Sequence, residues 1–199
     1  MTNGGLLTNV LKELDQSGFI TIYSGYGKSK REKVYRLTDL YTLFYLQFLS
    51  TLNQSDEVQF TNLSALPAWR SWSGYAFENV CLNHITQIRK ALSIEGMYSK
   101  TSTFYSKSKD GIPGTQIDLL IDRNDQNINI CEIKFSTTDY ALSKKDIDAI
   151  KNKKNIFAYH SKSRKNLFVT LITNQSAIRN QHYINHIDQE VTGDDLFAS

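Results

Sequence analysis

Two apolar runs of strand length, joined by a short turn, constrain this chain more than anything else in it. Residues 116–122 read Gln-Ile-Asp-Leu-Leu-Ile-Asp and residues 128–135 read Ile-Asn-Ile-Cys-Glu-Ile-Lys-Phe. Residues 123–127 between them are rich in Asn and Asp, the chemistry of a tight turn. Side chains of a strand alternate between faces. Here both faces are apolar: Ile117, Leu119, Leu120 and Ile121 in the first run, and Ile130, Cys131, Ile133 and Phe135 in the second. That is the signature of central strands covered on both sides. Asp118, Glu132 and Lys134 interrupt it. Charges inside such strands are rare unless they are paired or hold a metal.

Period two puts Glu132 and Lys134 on one face. A hairpin centred on Asp125 sets Asp118 opposite Glu132 on that same face. Two carboxylates and an ammonium then converge at one end of a sheet. Paired carboxylates suit a hard cation such as Mg²⁺ or Mn²⁺. Such an ion lowers the pKa of bound water and neutralises a phosphodiester in its transition state. Lys134 would orient or deprotonate the attacking water, or stabilise the charged phosphorus centre. The competing reading is a buried ion-pair triad that only shapes the core. Such triads are often no better for stability than apolar packing.

The rest of the chain frames this hairpin. Leu6, Leu7, Val10, Leu11 and Leu14 have helical spacing, and Gly18 follows as a stop. Residues 19–23 and 33–37 read as strands around a Gly- and Lys-rich turn at 24–32. Helix, strand, basic turn, strand is the second half of a winged helix. Thr38 or Asp39 caps a helix to about Leu52 that carries an aromatic stripe. Residues 1–52 thus form a winged-helix-like segment with a linking helix, 53–70 a connector, and 71–199 the main domain. Within it the expectations are a helix at 75–92, a strand at 97–105, the hairpin, a helix at 143–153, strands at 156–159 and 167–173, and a helical tail near 178–191. This order predicts an α/β fold.

The motif pieces carry a family resemblance. Asp118 followed by Glu132-Ile133-Lys134 resembles the core of the PD-(D/E)xK nuclease superfamily. Gly74-Tyr-Ala-Phe-Glu78 on the preceding helix resembles its first-helix glutamate. More closely, residues 71–197 resemble the nuclease-like domain at the C-terminus of archaeal-type and Bacteroidetes AAA-family ATPases. The matching pieces include Gln116–Arg123, Cys131–Ser136, Thr170–Thr173 and Asp194–Phe197. Residues 6–37 resemble the winged helix that links ATPase to nuclease in those proteins. The resemblance implies a restriction-endonuclease-like mixed sheet, with Asp118 and Glu132 as metal ligands, Glu78 as an accessory ligand and Lys134 as catalytic cation. A nucleotide loop is missing. Gly25-Tyr-Gly-Lys-Ser29 ends like one, but Ile22 stands where its first glycine belongs, and a strand follows where a helix is needed. The expectation is therefore the C-terminal portion of an ATPase-type protein, or a stand-alone form of it.

Charge adds to the case locally. The net charge is only +3 over 199 residues, yet Lys28, Lys30, Arg31 and Lys33 cluster, and lysines crowd residues 144–165. Local basic patches hold phosphates even when overall charge is modest. Lys28, Lys30, Arg31, Lys33, Gln116, Lys144 and Lys151 are the candidate contacts to nucleic acid, DNA in the first place; a solvated surface is the plain alternative for each. Cys81 and Cys131 sit in apolar runs and read as buried thiols. The four histidines offer no zinc spacing. The opening residues do not resemble a signal peptide, and the most apolar run, 37–52, is too short and polar to span a bilayer. A soluble, cytoplasmic protein is expected. Two other roles compete with the enzyme: an inactive nucleic-acid-binding or partner-docking module of an ATPase, and an oligomerisation domain built on the aromatic helix.

Overall fold

The computed structural model of the chain describes residues 4–28, 32–50, 60–108 and 111–198. Lys30, Arg31 and residues 53–59 of the expected connector lie outside them. The described chain is α/β. A five-stranded mixed sheet, its strands side by side in chain order, is flanked by helices, and a separate two-stranded sheet precedes it.

Helix α1 (Gly4–Gln16) leads through Gly18, at φ +78°, into the antiparallel hairpin of β1 (Ile20–Ser24) and β2 (Lys33–Leu37). The left-handed φ at Gly18 is where a residue without Cβ is needed. Helix α2 (Leu40–Phe44) is capped by the Asp39 carboxylate, which accepts from the Thr42 N–H at 2.6 Å. It then widens into a π-helical turn, Tyr45–Leu49, closed by Ser50 N–H on Tyr45 O at 2.8 Å. Phe44 and Phe48 of the aromatic stripe pack inward, while Tyr41 and Tyr45 stay exposed. Phe44, Phe48, Trp69 and Trp72 form one ring cluster, with Trp69 and Trp72 4.9 Å apart and Phe44 and Trp72 5.6 Å apart.

A short helix α3 (Phe60–Ser64) precedes α4 (Pro67–Asn83), which begins eight residues before the expected start at 75. Pro67 at the first helical position and extended Leu66 before it explain the early start. The expected single helix 75–92 is broken at His84. That residue leaves helical geometry, and its Nδ1 lies 2.7 Å from Val80 O. Helix α5 (Ile85–Ala91) follows.

Strands β3 (Ser99–Ser106), β4 (Thr115–Arg123) and β5 (Asn127–Lys134) form the antiparallel half of the sheet. Leu119, Ile121 and Cys131 pack beneath α4 and α5, while Ile117, Leu120, Ile128 and Ile130 pack against Ile156 and Phe157. The hairpin is thus buried on both faces, as its composition required.

Helix α6 (Lys144–Ser161) starts in a reciprocal capping box between Ser143 and Asp146 and ends at Lys162, φ +51°. It absorbs residues 156–159, expected as a strand. Ile156 and Phe157 continue the buried face begun by Ile147 and Ile150, so the helical period prevails over a short apolar run. Strand β6 (Asn166–Thr173) runs parallel to β5. The expected helical tail is instead α7 (Gln181–His186), an edge strand β7 (Gln189–Thr192) parallel to β6, and α8 (Gly193–Phe197). Strand β7 has one buried side chain, Val191, and is fixed by its partner β6. No helix among the described residues is long and apolar enough to cross a membrane.

Candidate active site

The site grows out of where β4 and β5 stop pairing. Their register runs from Asp122↔Ile128 to Leu119↔Cys131 and ends there. Beyond that point β4 continues on β3, and β5 continues on β6. Asp118 and Glu132 are the first residues past the fork. The β3–β4 register also shifts here: Ser102 pairs with Leu120, and Phe104 with Ile117, so Asp118 and Leu119 stand against Thr103 alone. This is a β-bulge, which turns side chains off the regular alternation. Ile117 and Leu119 therefore belong to opposite faces of the core despite their period-two spacing. A bulge at Asp118 is a tertiary feature that strict alternation does not foresee.

Four elements of the main domain bring charges to the fork, and β2 adds a fifth. Helix α4 supplies Glu78, β4 Asp118, β5 Glu132 and Lys134, and α6 Lys153. Two cation-linked groups result. In one, Glu132 is almost fully buried and takes Lys134 Nζ at 2.9 Å on one oxygen and Lys153 Nζ at 2.7 Å on the other. In the other, Arg36 of β2 reaches across from the first hairpin. Its Nη2 lies 2.5 Å from Glu78 Oε2 and its Nη1 3.5 Å from Asp118 Oδ1. Its Nε donates to Asn79 Oδ1 at 2.5 Å, and its plane lies 4.1 Å above the Tyr75 ring. Gln116 Nε2 donates to Asp118 Oδ1 at 2.7 Å.

Protonation follows from this packing. Burial and then the charge of Asp118 push the Glu78 carboxyl up, against the bond from Arg36. Burial works to lower the Lys134 pKa, but the Glu132 carboxylate outweighs it and holds the ammonium above the ordinary lysine range. Burial pushes the Cys81 thiol up to about 12 and raises Cys131 as well, so both are buried, inert thiols.

The structure brings Glu78, Asp118, Glu132 and Lys134 to one end of the sheet, and it adds Arg36 and Lys153. Sequence reading placed Lys153 among surface lysines; it turns inward to Glu132. Arg36 had no signal in the chain except its position in a half-apolar strand. Among the described residues, no group of three or more His, Cys, Asp or Glu side chains is arranged closely enough to hold a metal. The other candidates scatter. Lys28 pairs with Glu32 at 3.2 Å, and Lys33, Lys144 and Lys151 are exposed. Lys33 lines a cavity of about 710 Å³ between the first hairpin and β3. Lys30 and Arg31 lie outside the described residues.

Fold and site together define an α/β protein with a charged fork at the end of a mixed sheet. The chain belongs to the DUF234 family, described as archaeal and bacterial proteins of unknown function, whose model matches residues 43–150. That span holds Glu78, Asp118, Glu132 and Lys134; Arg36 and Lys153 lie outside it. No curated protein and no solved structure matches the chain.

Proposed function

We propose that this chain carries a divalent-metal-dependent nuclease site of the PD-(D/E)xK type, hydrolysing phosphodiester bonds of DNA, and is the C-terminal part of an ATPase-type protein. The observation that carries the reading is the fork: Asp118 and Glu132 flank the point where β4 and β5 part, with Lys134 beside them and Glu78 reaching in from α4. The donor chemistry fits a hard cation. All candidate ligands are carboxylates, the donors a hard cation takes, and each is paired with a cationic side chain whose place a metal would have to take.

Asp118, Glu132 and Glu78 would hold Mg²⁺ or Mn²⁺, which supplies an acidified water and charge neutralisation at phosphorus. The remaining work belongs to the chain. Lys134 stays protonated beside Glu132 and so acts as a donor, steadying the attacking water and the charge that builds on phosphorus. It is not the base; the water's proton would leave to solvent as the new P–O bond forms, and the sugar oxygen released as the old P–O bond breaks would take up a proton from solvent. Gln116 holds Asp118 in orientation. Lys33, Lys144 and Lys151 are exposed and free to meet backbone phosphates.

The test is nicking of supercoiled plasmid and branched DNA in Mn²⁺, with thermal melting on the same samples. Wild type is expected to nick and to melt higher with metal. Asp118→Asn should abolish nicking while remaining folded. Lys134→Ala should slow it roughly 10²–10³-fold, the order seen when one transition-state donor is removed, and keep the metal-induced rise. Wild type that neither nicks nor gains stability with metal would sink the reading.

A second reading then takes its place, and one observation favours it. Every carboxylate of the fork has a side-chain cation already, while α1 leaves Leu6, Leu7 and Val10 exposed. That suits an inactive module that docks nucleic acid, an ATPase module or a second copy.

A further inference from the structure

Arg36 comes from outside the family-matched span and from a different sheet, yet its side chain is 10% exposed and sits among the carboxylates of the fork. Its whole guanidinium is engaged: Glu78 and Asp118 on the two terminal nitrogens, Asn79 on Nε, and Tyr75 on its face. Asn79 also donates to Leu37 O at 3.0 Å, which fixes the backbone next to Arg36. The side chain is aimed, and the hairpin aims it.

We propose that Arg36 is an internal occupant of the metal seat, so that docking of the β1–β2 hairpin and binding of a divalent cation by Glu78 and Asp118 exclude each other. The proposal rests on the nuclease reading of the fork and names the regulation of that site. A divalent ion binds carboxylate oxygens at about 2.0–2.6 Å. Glu78 Oε2 and Asp118 Oδ1 cannot serve it while they hold a guanidinium between them, and an ion seated between the two carboxylates would meet that guanidinium at van der Waals range. Arg36 must leave, and its departure takes the hairpin's central tie with it. Other ties among the described residues are few: the Gly25–Thr103 bridge with Tyr26 N–H on Thr103 O at 2.7 Å, the Tyr26–Phe157 ring contact at 5.0 Å, Asn79 on Leu37, and Tyr23 on the core edge. Arg36 is thus a positioning residue. It keeps two carboxylates paired, ordered and closed until the hairpin lifts.

Linkage makes this measurable without any cleavage. If the hairpin opposes the metal, the metal must loosen the hairpin by the same factor. The experiment is calorimetric titration of the full chain with Mn²⁺ at pH 8, without nucleic acid, for wild type, Arg36→Gln and Arg36→Lys. Amide exchange of residues 20–24 and 33–37 is followed with and without Mn²⁺. Arg36→Gln is expected to bind Mn²⁺ roughly 5- to 150-fold more tightly than wild type, the usual span of coupled sites. Mn²⁺ should speed exchange in the wild-type hairpin and leave that of Arg36→Gln unchanged. Arg36→Lys should fall between, since one ammonium is a point charge without the fork geometry that bridges two carboxylates. It carries the comparison if the Gln variant does not fold. Equal or weaker Mn²⁺ binding by the variants, or slower wild-type exchange with Mn²⁺, would overturn the proposal and leave the nuclease reading standing. Absence of Mn²⁺ binding in all three proteins would overturn both.

Discussion

Glu132 shows what a single residue faces in this fold. It is almost wholly buried on a central strand, and two ammonium groups from different elements neutralise it. One lysine suffices for charge balance; the second lets both carboxylate oxygens be bonded. Removing one partner of a buried charge costs more than the pair itself contributes. Lys153→Met, which keeps the aliphatic stem, should therefore destabilise the protein by about 1–3 kcal/mol in urea melts. Glu132→Gln should cost more, about 3–5 kcal/mol, because it strands two lysines. A Lys153→Met protein as stable as wild type would show that Lys134 alone satisfies Glu132. The pattern Glu-x-Lys was legible in the chain; the second lysine was not, because it arrives from α6, twenty-one residues on.

Elements differ in how much their own sequence decides. Asp39 caps α2 through the Thr42 N–H, and the Thr42 hydroxyl together with that N–H holds its carboxyl below the ordinary range. A depressed folded pKa means stability that is present above the unfolded value and lost as pH falls through the folded one. Asp39→Ala should cost about 0.5–2 kcal/mol at neutral pH, and the difference from wild type should vanish in acid melts below the carboxylate range. A difference that survives acid would show that the cap is not electrostatic. Capping also marks α6 from Ser143 and Asp146, so its start was readable. Its length was not, because residues 156–159 are as apolar as a strand and only the core beneath them, Phe104 and Ile128, sets their period. Strand β7 and α8 meet at Gly193, where an added Cβ would lie 2.6 Å from Asn174 O. Gly193→Ala should lower the melting temperature by disturbing the β6–β7 edge, and unchanged melting would mean that Asn174 yields.

At the scale of the molecule, one aromatic cluster and one hairpin join the N-terminal third to the main sheet. Both tryptophans of the chain, Trp69 and Trp72, lie in the cluster with Phe44 and Phe48. Tryptophan emission is therefore a local report of how the helix at 40–49 packs on α4. Phe48→Ala removes a buried ring and should cost about 3–5 kcal/mol with a red-shifted emission. Emission unchanged in a folded variant would show that the cluster does not hold the helix in place.

The sequence by itself determined the central hairpin, its two apolar faces, the turn around Asp125, and the gathering of Asp118, Glu132 and Lys134 near one sheet end. All of these follow from strand alternation and turn chemistry, which act over a few residues. Tertiary structure alone decided the bulge at Asp118, the edge strand β7 and the entry of Arg36 between Glu78 and Asp118. Each depends on a partner far along the chain: Thr103, Thr170 to Thr173, and a carboxylate pair 42 and 82 residues from Arg36. Local pattern fixes which face a side chain prefers. Which cation meets a buried carboxylate is fixed by packing, because burial makes an unpaired charge too costly to leave and any cation in reach is drawn to it.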